Sequence, residues 1–240
     1  MKQIFTQRAG MIGMICLLTT TLLSSCLKDR NDNHYQPQQF ALVSAINASP
    51  DAQPVDFFLE PNRANNFYIK SGESLDYVNA YIGKRTVTFR VGGSQQVIKT
   101  DTVTLKNGNL YSVFLANVVS TPDLLIIADS VGHPAFGKAG IRYVNLSPDA
   151  QSTDLLIKDN ATPLVSAKTY KQYSSFITVG GNVSYTFQIV KHGTTTVLAT
   201  VTNVTLKSNT LNTIWLQGLS AATDSKKLSA HMQENVYYVN

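Results

Sequence analysis

Asn47-Ala48-Ser49-Pro50-Asp51-Ala52-Gln53 returns as Asn145-Leu146-Ser147-Pro148-Asp149-Ala150-Gln151, ninety-eight residues further along the chain. At the same offset Asp56 falls on Asp154, and Val87-Thr88-Phe89 on Tyr185-Thr186-Phe187. Beyond that point the offset grows to one hundred and one. Val103-Thr104-Leu105-Lys106 then meets Val204-Thr205-Leu206-Lys207, and residues 110–115 meet 211–216. Agreement at several separated places makes the chain two copies of one domain, with three residues gained around 190–202.

Each copy reads as strands. Val87, Phe89 and Val91 alternate with Thr88 and Arg90, the period-two signature of a half-buried strand. Val55, Phe57 and Leu59 alternate in the same way with Asp56 and Glu60. Further β-prone runs cover 40–46, 96–105, 110–116 and 124–128. Glycine turns punctuate them at Gly92-Gly93 and Asn107-Gly108, and again at Gly180-Gly181 and His192-Gly193. No long segment carries a helical stripe. Six or seven short strands per hundred residues predict a two-sheet sandwich for each copy.

The repeated motif suits a tight corner. Pro50 and Pro148 fix φ and bar helical geometry at Ser49 and Ser147, while Asp51 and Asp149 are placed to bond nearby backbone N–H groups. The competing reading makes the aspartates calcium ligands. Calcium asks for six to eight oxygens, and no acidic cluster accompanies Asp51 and Asp56, so no metal and no cofactor is expected.

The N-terminus addresses the chain. Lys2 and Arg8 precede an apolar stretch at 11–23, followed by Leu23-Ser24-Ser25-Cys26. This is the layout of a secretory signal, too short to span a bilayer comfortably. The last four residues resemble a bacterial lipobox, which implies acylation of Cys26 as the new N-terminus. Residues 27–39 are polar and aperiodic and read as a tether. Lys28, Asp29 and Arg30 resemble the charged signals that carry lipoproteins to the surface of Bacteroidota-like cells. With residues 1–25 removed, eighteen basic and fifteen acidic side chains remain, a net charge of +3. The charges are dispersed, so no nucleic-acid surface is expected. Cys26 is then the one remaining cysteine, and no internal disulfide can form.

The motif, with Thr86-Val87-Thr88-Phe89-Arg90-Val91 and Asn109-Leu110-Tyr111-Ser112-Val113-Phe114-Leu115, resembles the DUF4397 family of exported bacterial domains. The first copy matches well. The second keeps Ser147-Pro148-Asp149-Ala150 and Asp154 but has Asn212 where the family has tyrosine, and Trp215 in place of Phe114. The resemblance implies an all-β fold, with tandem immunoglobulin-like or transthyretin-like sandwiches on a lipoprotein, and implies no reaction. The expected layout is a signal peptide over 1–25, a tether over 26–38, a sandwich over 39–130, a linker over 131–139 and a second sandwich over 140–240.

No HExxH, GxSxG, P-loop or dinucleotide fingerprint occurs, so no enzyme is expected. His133 and His192 fall in the linker and a hairpin turn and read as solvent-facing. Tyr77, Tyr173 and Trp215 are the candidate ligand-binding aromatics, since ring faces stack on apolar patches of sugars. Core packing is the competing reading for Trp215, and their exposure decides between the two. Phe136 either wedges against a domain or stands exposed on a mobile linker. Asp101-Thr102-Val103 and Asp129-Ser130-Val131 have the form of bacterial O-glycosylation triplets, the second in the more accessible place. The reading as a whole is a lipoprotein held to the outer membrane through acylated Cys26. Its role is structural, towards an envelope protein, with carbohydrate binding by exposed aromatics as the alternative.

Overall fold

A computed structural model of the protein describes residues 38–129 and 132–238. The signal peptide, Cys26 and all but the last residue of the expected tether lie outside the described residues. Among the described residues no helix is long and apolar enough to cross a membrane.

The first copy consists of β1 (Phe40–Asn47), β2 (Val55–Leu59), β3 (Asn62–Arg63), β4 (Ser74–Tyr81), β5 (Gly83–Val91), β6 (Val97–Leu105), β7 (Leu110–Ala116) and β8 (Asp123–Asp129). The second repeats the series as β9 (Lys138–Asn145), β10 (Thr153–Ile157), β11 (Val165–Lys168), β12 (Ile177–Gly180), β13 (Val183–Lys191), β14 (Val197–Leu206), β15 (Thr210–Gln217) and β16 (Ser229–Tyr237). Strand β9 therefore starts inside the segment read as linker.

Each copy is a sandwich of two four-stranded sheets. The orders are β4-β1-β7-β8 over β3-β2-β5-β6, and β12-β9-β15-β16 over β11-β10-β13-β14. Pairing is antiparallel throughout except between β1 and β7 and between β9 and β15, which run parallel. The immunoglobulin order, which keeps the first two strands in one sheet, is not the one found: β1 and β2 lie in opposite sheets. Part of the offset growth is a β-bulge in β14, where Asn203 takes φ 55° and the register with β13 slips.

The cores follow from the alternation. Ala41, Val43 and Ala45 of β1 point into the first sandwich beside Phe57, Phe89 and Val113. Ile141 and Tyr143 of β9 do the same in the second, beside Leu155, Phe187 and Ile214. Each copy thus has its own apolar core.

A third cluster joins the two. Ile46, Phe114 and Ile127, on the outer face of the first copy, pack with Val144, Leu146 and Trp215 of the second. Equivalent residues meet: Ile46 and Val144 are related by the repeat, as are Phe114 and Trp215, whose rings sit edge-on with centroids 6.3 Å apart. The seam therefore has the self-complementary character of a two-fold dimer interface, written into one chain. Strands buried on both faces need near-continuous apolar sequence rather than alternation, and β15 is buried at every position.

Candidate functional site

Polar side chains close both ends of the seam. Toward one end, Arg142 from the middle of β9 is 2% exposed, and its guanidinium donates to Asp129 at 2.5 Å and to Thr213 at 2.9 Å. The other oxygen of Asp129 accepts from Tyr77 at 2.7 Å and from Ser112 at 2.9 Å. Asn235 completes the ring, accepting from Thr213 at 2.6 Å and donating to the Tyr77 hydroxyl at 3.1 Å. Burial, reinforced by the Asp129 charge, pushes the Tyr77 phenol far above its usual range. It stays a neutral donor.

At the far end Gln217 donates to Ser71 at 3.0 Å and accepts from the Trp215 indole at 2.9 Å. Ser71 in turn donates to the carbonyl of Ser49 in the first repeated corner. His231 stacks on Trp215, with centroids 5.6 Å apart, and bonds Ser229. It also covers Gly72. A Cβ at Gly72 would lie within 2.3 Å of that imidazole, and φ there is +81°, so two independent constraints demand glycine.

Burial depresses the His231 pKa below its ordinary 6.5. The unfolded chain therefore takes up a proton at higher pH than the folded one. This part of the stability is complete above pH 6.5 and declines as the pH falls below it. Thermal melts at neutral and mildly acidic pH should show that decline, and His231→Gln should flatten it.

The repeated corners hold loops. Ser49 and Ser147 donate to Asp51 and Asp149, and their own amides donate to Asn47 and Asn145. Asp51 accepts from the Val119 amide at 2.9 Å, and Asp149 from the Ser220 amide at 2.7 Å. Both contacts fasten the corner that follows the first strand to the loop that follows the seventh. Pro50 is partly buried at the first corner, while Pro148 is exposed at the second. Among the described residues no group of three His, Cys, Asp or Glu side chains is placed to hold a metal.

Between the edge strands β8 and β12, beside the Arg142 cluster, runs a cleft of ≈ 550 Å³. One wall is Ile127 and Ala128, and the other is the segment 173–178 that leads into β12. Phe176 lies under the Arg142 guanidinium, 4.8 Å from centroid to cation. Ser175 and Thr178 present hydroxyls to solvent. Above the cleft, Lys171 and Tyr170 reach from the second copy to Asp123 of the first, at 3.0 and 3.3 Å. Burial holds the Tyr170 phenol well above its usual range, so it too remains a donor.

The three candidate aromatics part company here. Tyr173 lines the cleft and is 44% exposed. Trp215 has 0% exposure and offers no face to a ligand, while the partly buried Tyr77 has its hydroxyl committed to the Asp129 network. Phe136 does not wedge against either copy; it is 90% exposed. His133 is exposed but stacked on Tyr238, and His192 is bonded to the buried Asp154 at 2.9 Å. Asp129, expected in an accessible triplet, is buried against Arg142. Sequence reasoning missed Arg142 altogether. The one signal was that arginine interrupts an apolar strand where the first copy has Ser44.

The molecule is thus a pair of fused eight-stranded sandwiches with a lateral cleft whose lining includes His133, Arg142 and Tyr173. Residues 41–156 match the domain of unknown function DUF4397, so a region of that family is present, running from β1 into β10. No curated protein matches the chain. Among solved structures, it is similar to a family 26 carbohydrate-binding module from Eubacterium rectale Amy13K, in complex with maltoheptaose. The identity is 8% and the TM-score 0.28, over 82% of this chain and 97% of that one. A streptococcal virulence factor described as binding alpha-glucan is 12% identical with a TM-score of 0.27, over 83% and 99% of the two chains. TM-scores this low define neither a shared fold nor a shared ligand.

Proposed function

We propose that the protein is an exported, non-catalytic binding protein, anchored through acylated Cys26 to the outer membrane, whose lateral cleft takes a carbohydrate. The reading rests on the cleft. Its volume of ≈ 550 Å³ falls within the ~300–1,000 Å³ usual for ligand sites. Tyr173 offers a half-open ring for stacking, and Ser175 and Thr178 supply hydroxyls at the same wall. The guanidinium beside it is already paired with Asp129, so the site favours an uncharged, polyhydroxylated ligand over an anion. The fused seam keeps both walls in fixed register, which lowers the entropy lost on binding.

A glycan array probed with a Cys26→Ser chain lacking residues 1–25 tests this. Saturable binding to a neutral glycan is expected, with Tyr173→Ala weakening it about tenfold or more. No saturable binding, or equal binding by Tyr173→Ala, removes the reading.

A structural or protein-interaction role is the second reading, and one observation favours it. Strand β14 is ten residues long, borders its sheet and carries no charged side chain. Edge strands of that kind accept a partner strand.

A further inference from the structure

The chain enters β1 at one end of the molecule. Both copies point the same way: Arg142 in the middle of β9 reaches the end of β8, Gln233 of β16 bonds Ser44 in the middle of β1, and Gln217 at the end of β15 bonds Ser71 beside the first corner. The starts of β1 and β9 therefore lie at a common end, with the repeated corners opposite. The hairpin turns at 82–83, 106–109, 181–182 and 207–209 join them there. The pairings Gly83 with Leu105 and Val183 with Leu206, and the amide bonds from Gly108 to Phe40 and from Asn209 to Lys138, fix that grouping.

Four exposed apolar side chains lie at this end. Phe136 is 90% exposed, and Tyr81, Val183 and Tyr237 are each more than two-fifths exposed. Phe136 is not on a loose segment. Lys138 donates to the Ala135 carbonyl across a tight turn, and Gly137 takes φ +71° in it. The Gly181 amide then bonds the Gly137 carbonyl. The backbone thus holds a phenylalanine, 90% exposed among the described residues, at the apex of a fixed turn.

Exposed lysines stand around these rings: Lys84, Lys106, Lys138 and Lys207, with Arg85 over the Tyr81 ring. Glu234 is already paired with Lys207, and Asp129 is buried against Arg142.

We propose that the end of the molecule bearing Phe136 is a membrane-contact surface, seated on anionic headgroups with its aromatic side chains at the interfacial level. The occupant is argued from the chain outside the described residues. Cys26 is twelve positions upstream of Gln38, and the chain enters the fold at this same end. A chain of that length spans about 20 Å on average, so an acyl anchor holds this surface within reach of the bilayer. Aromatic rings favour the headgroup level, and lysines near an anionic surface add attraction there. Tyr173 pairs with Val144, near the opposite end of β9, so contact here leaves it open to a ligand. The inference rests on the proposed anchor at Cys26 and not on the carbohydrate reading.

The acylated full-length protein is reconstituted into phosphatidylethanolamine vesicles with and without phosphatidylglycerol, part of the lipid carrying brominated chains. Phe136→Trp places a reporter at the apex, and Tyr68→Trp places one beside the Gly92-Gly93 turn at the far end. Trp215 is buried and gives a constant background. Bromine should quench Phe136→Trp and leave Tyr68→Trp unaffected. Lys84→Gln and Lys138→Gln should each shift the seated population about fivefold, only with phosphatidylglycerol present. A chain that co-floats with vesicles without quenching at position 136, or with equal quenching at both positions, overturns the surface alone. A chain that fails to co-float overturns the anchor as well.

Discussion

Arg142→Ala is expected to lower folding stability by about 3–5 kcal/mol, because it leaves the Asp129 carboxylate buried with its principal counter-charge gone. In a body of this size that corresponds to a fall in melting temperature of roughly 10 °C. The two neutral donors on Asp129, Tyr77 and Ser112, would not replace the guanidinium, and Thr213 would lose the group it accepts from. The contrast lies in the double variant. Arg142→Met with Asp129→Leu removes both charges and should recover most of the loss, since a buried pair often contributes little beyond apolar replacements of similar volume. Urea unfolding of both proteins checks the pair. Equal destabilisation by the single and the double variant would show that the surrounding hydroxyl and amide bonds, and not the unpaired charge, set the cost.

Trp215→Ala is expected to cost a similar ~3–5 kcal/mol, with a different signature. The indole fills the space between Phe114 and His231 at the centre of the seam. It belongs to the seam cluster and not to either copy's own core cluster. Its loss therefore weakens the coupling between the sandwiches more than either sandwich by itself. Scanning calorimetry should show one cooperative transition for the wild type and two resolved transitions for the variant. Phe114→Ala should be less than additive with it, since the two rings share one contact. A single transition with an unchanged midpoint would mean that the apolar seam contributes little to holding the copies together.

These effects could not have been anticipated from the repeat. The alignment of residues 47–53 with 145–151 established two copies, and the alternation at 87–91 established strands with one face inward. Neither says what covers the other face. A sandwich strand is normally polar outside, so Phe114 and Trp215 read as ordinary core positions. The informative departures were present but small: near-continuous apolar runs at 113–116 and 214–216, and one arginine opposite a serine in the repeat. Tyr77 and Tyr173 offered themselves equally as ligand platforms, although the pairings set Tyr173 opposite Val144 where the first copy sets Ser74 opposite Ile46. Only the packing shows that one is locked beneath Asp129 while the other stands in a cleft.

The sequence alone determined the number of copies, the strand content and the corners at Pro50 and Pro148, because each is local or repeats along the chain. The tertiary structure alone decided the strand order, the fusion of the copies through a shared apolar seam, the burial of Arg142 and Asp129, and the cleft beside them. Those depend on which face meets which across nearly a hundred residues of chain, and local pattern carries no record of that choice.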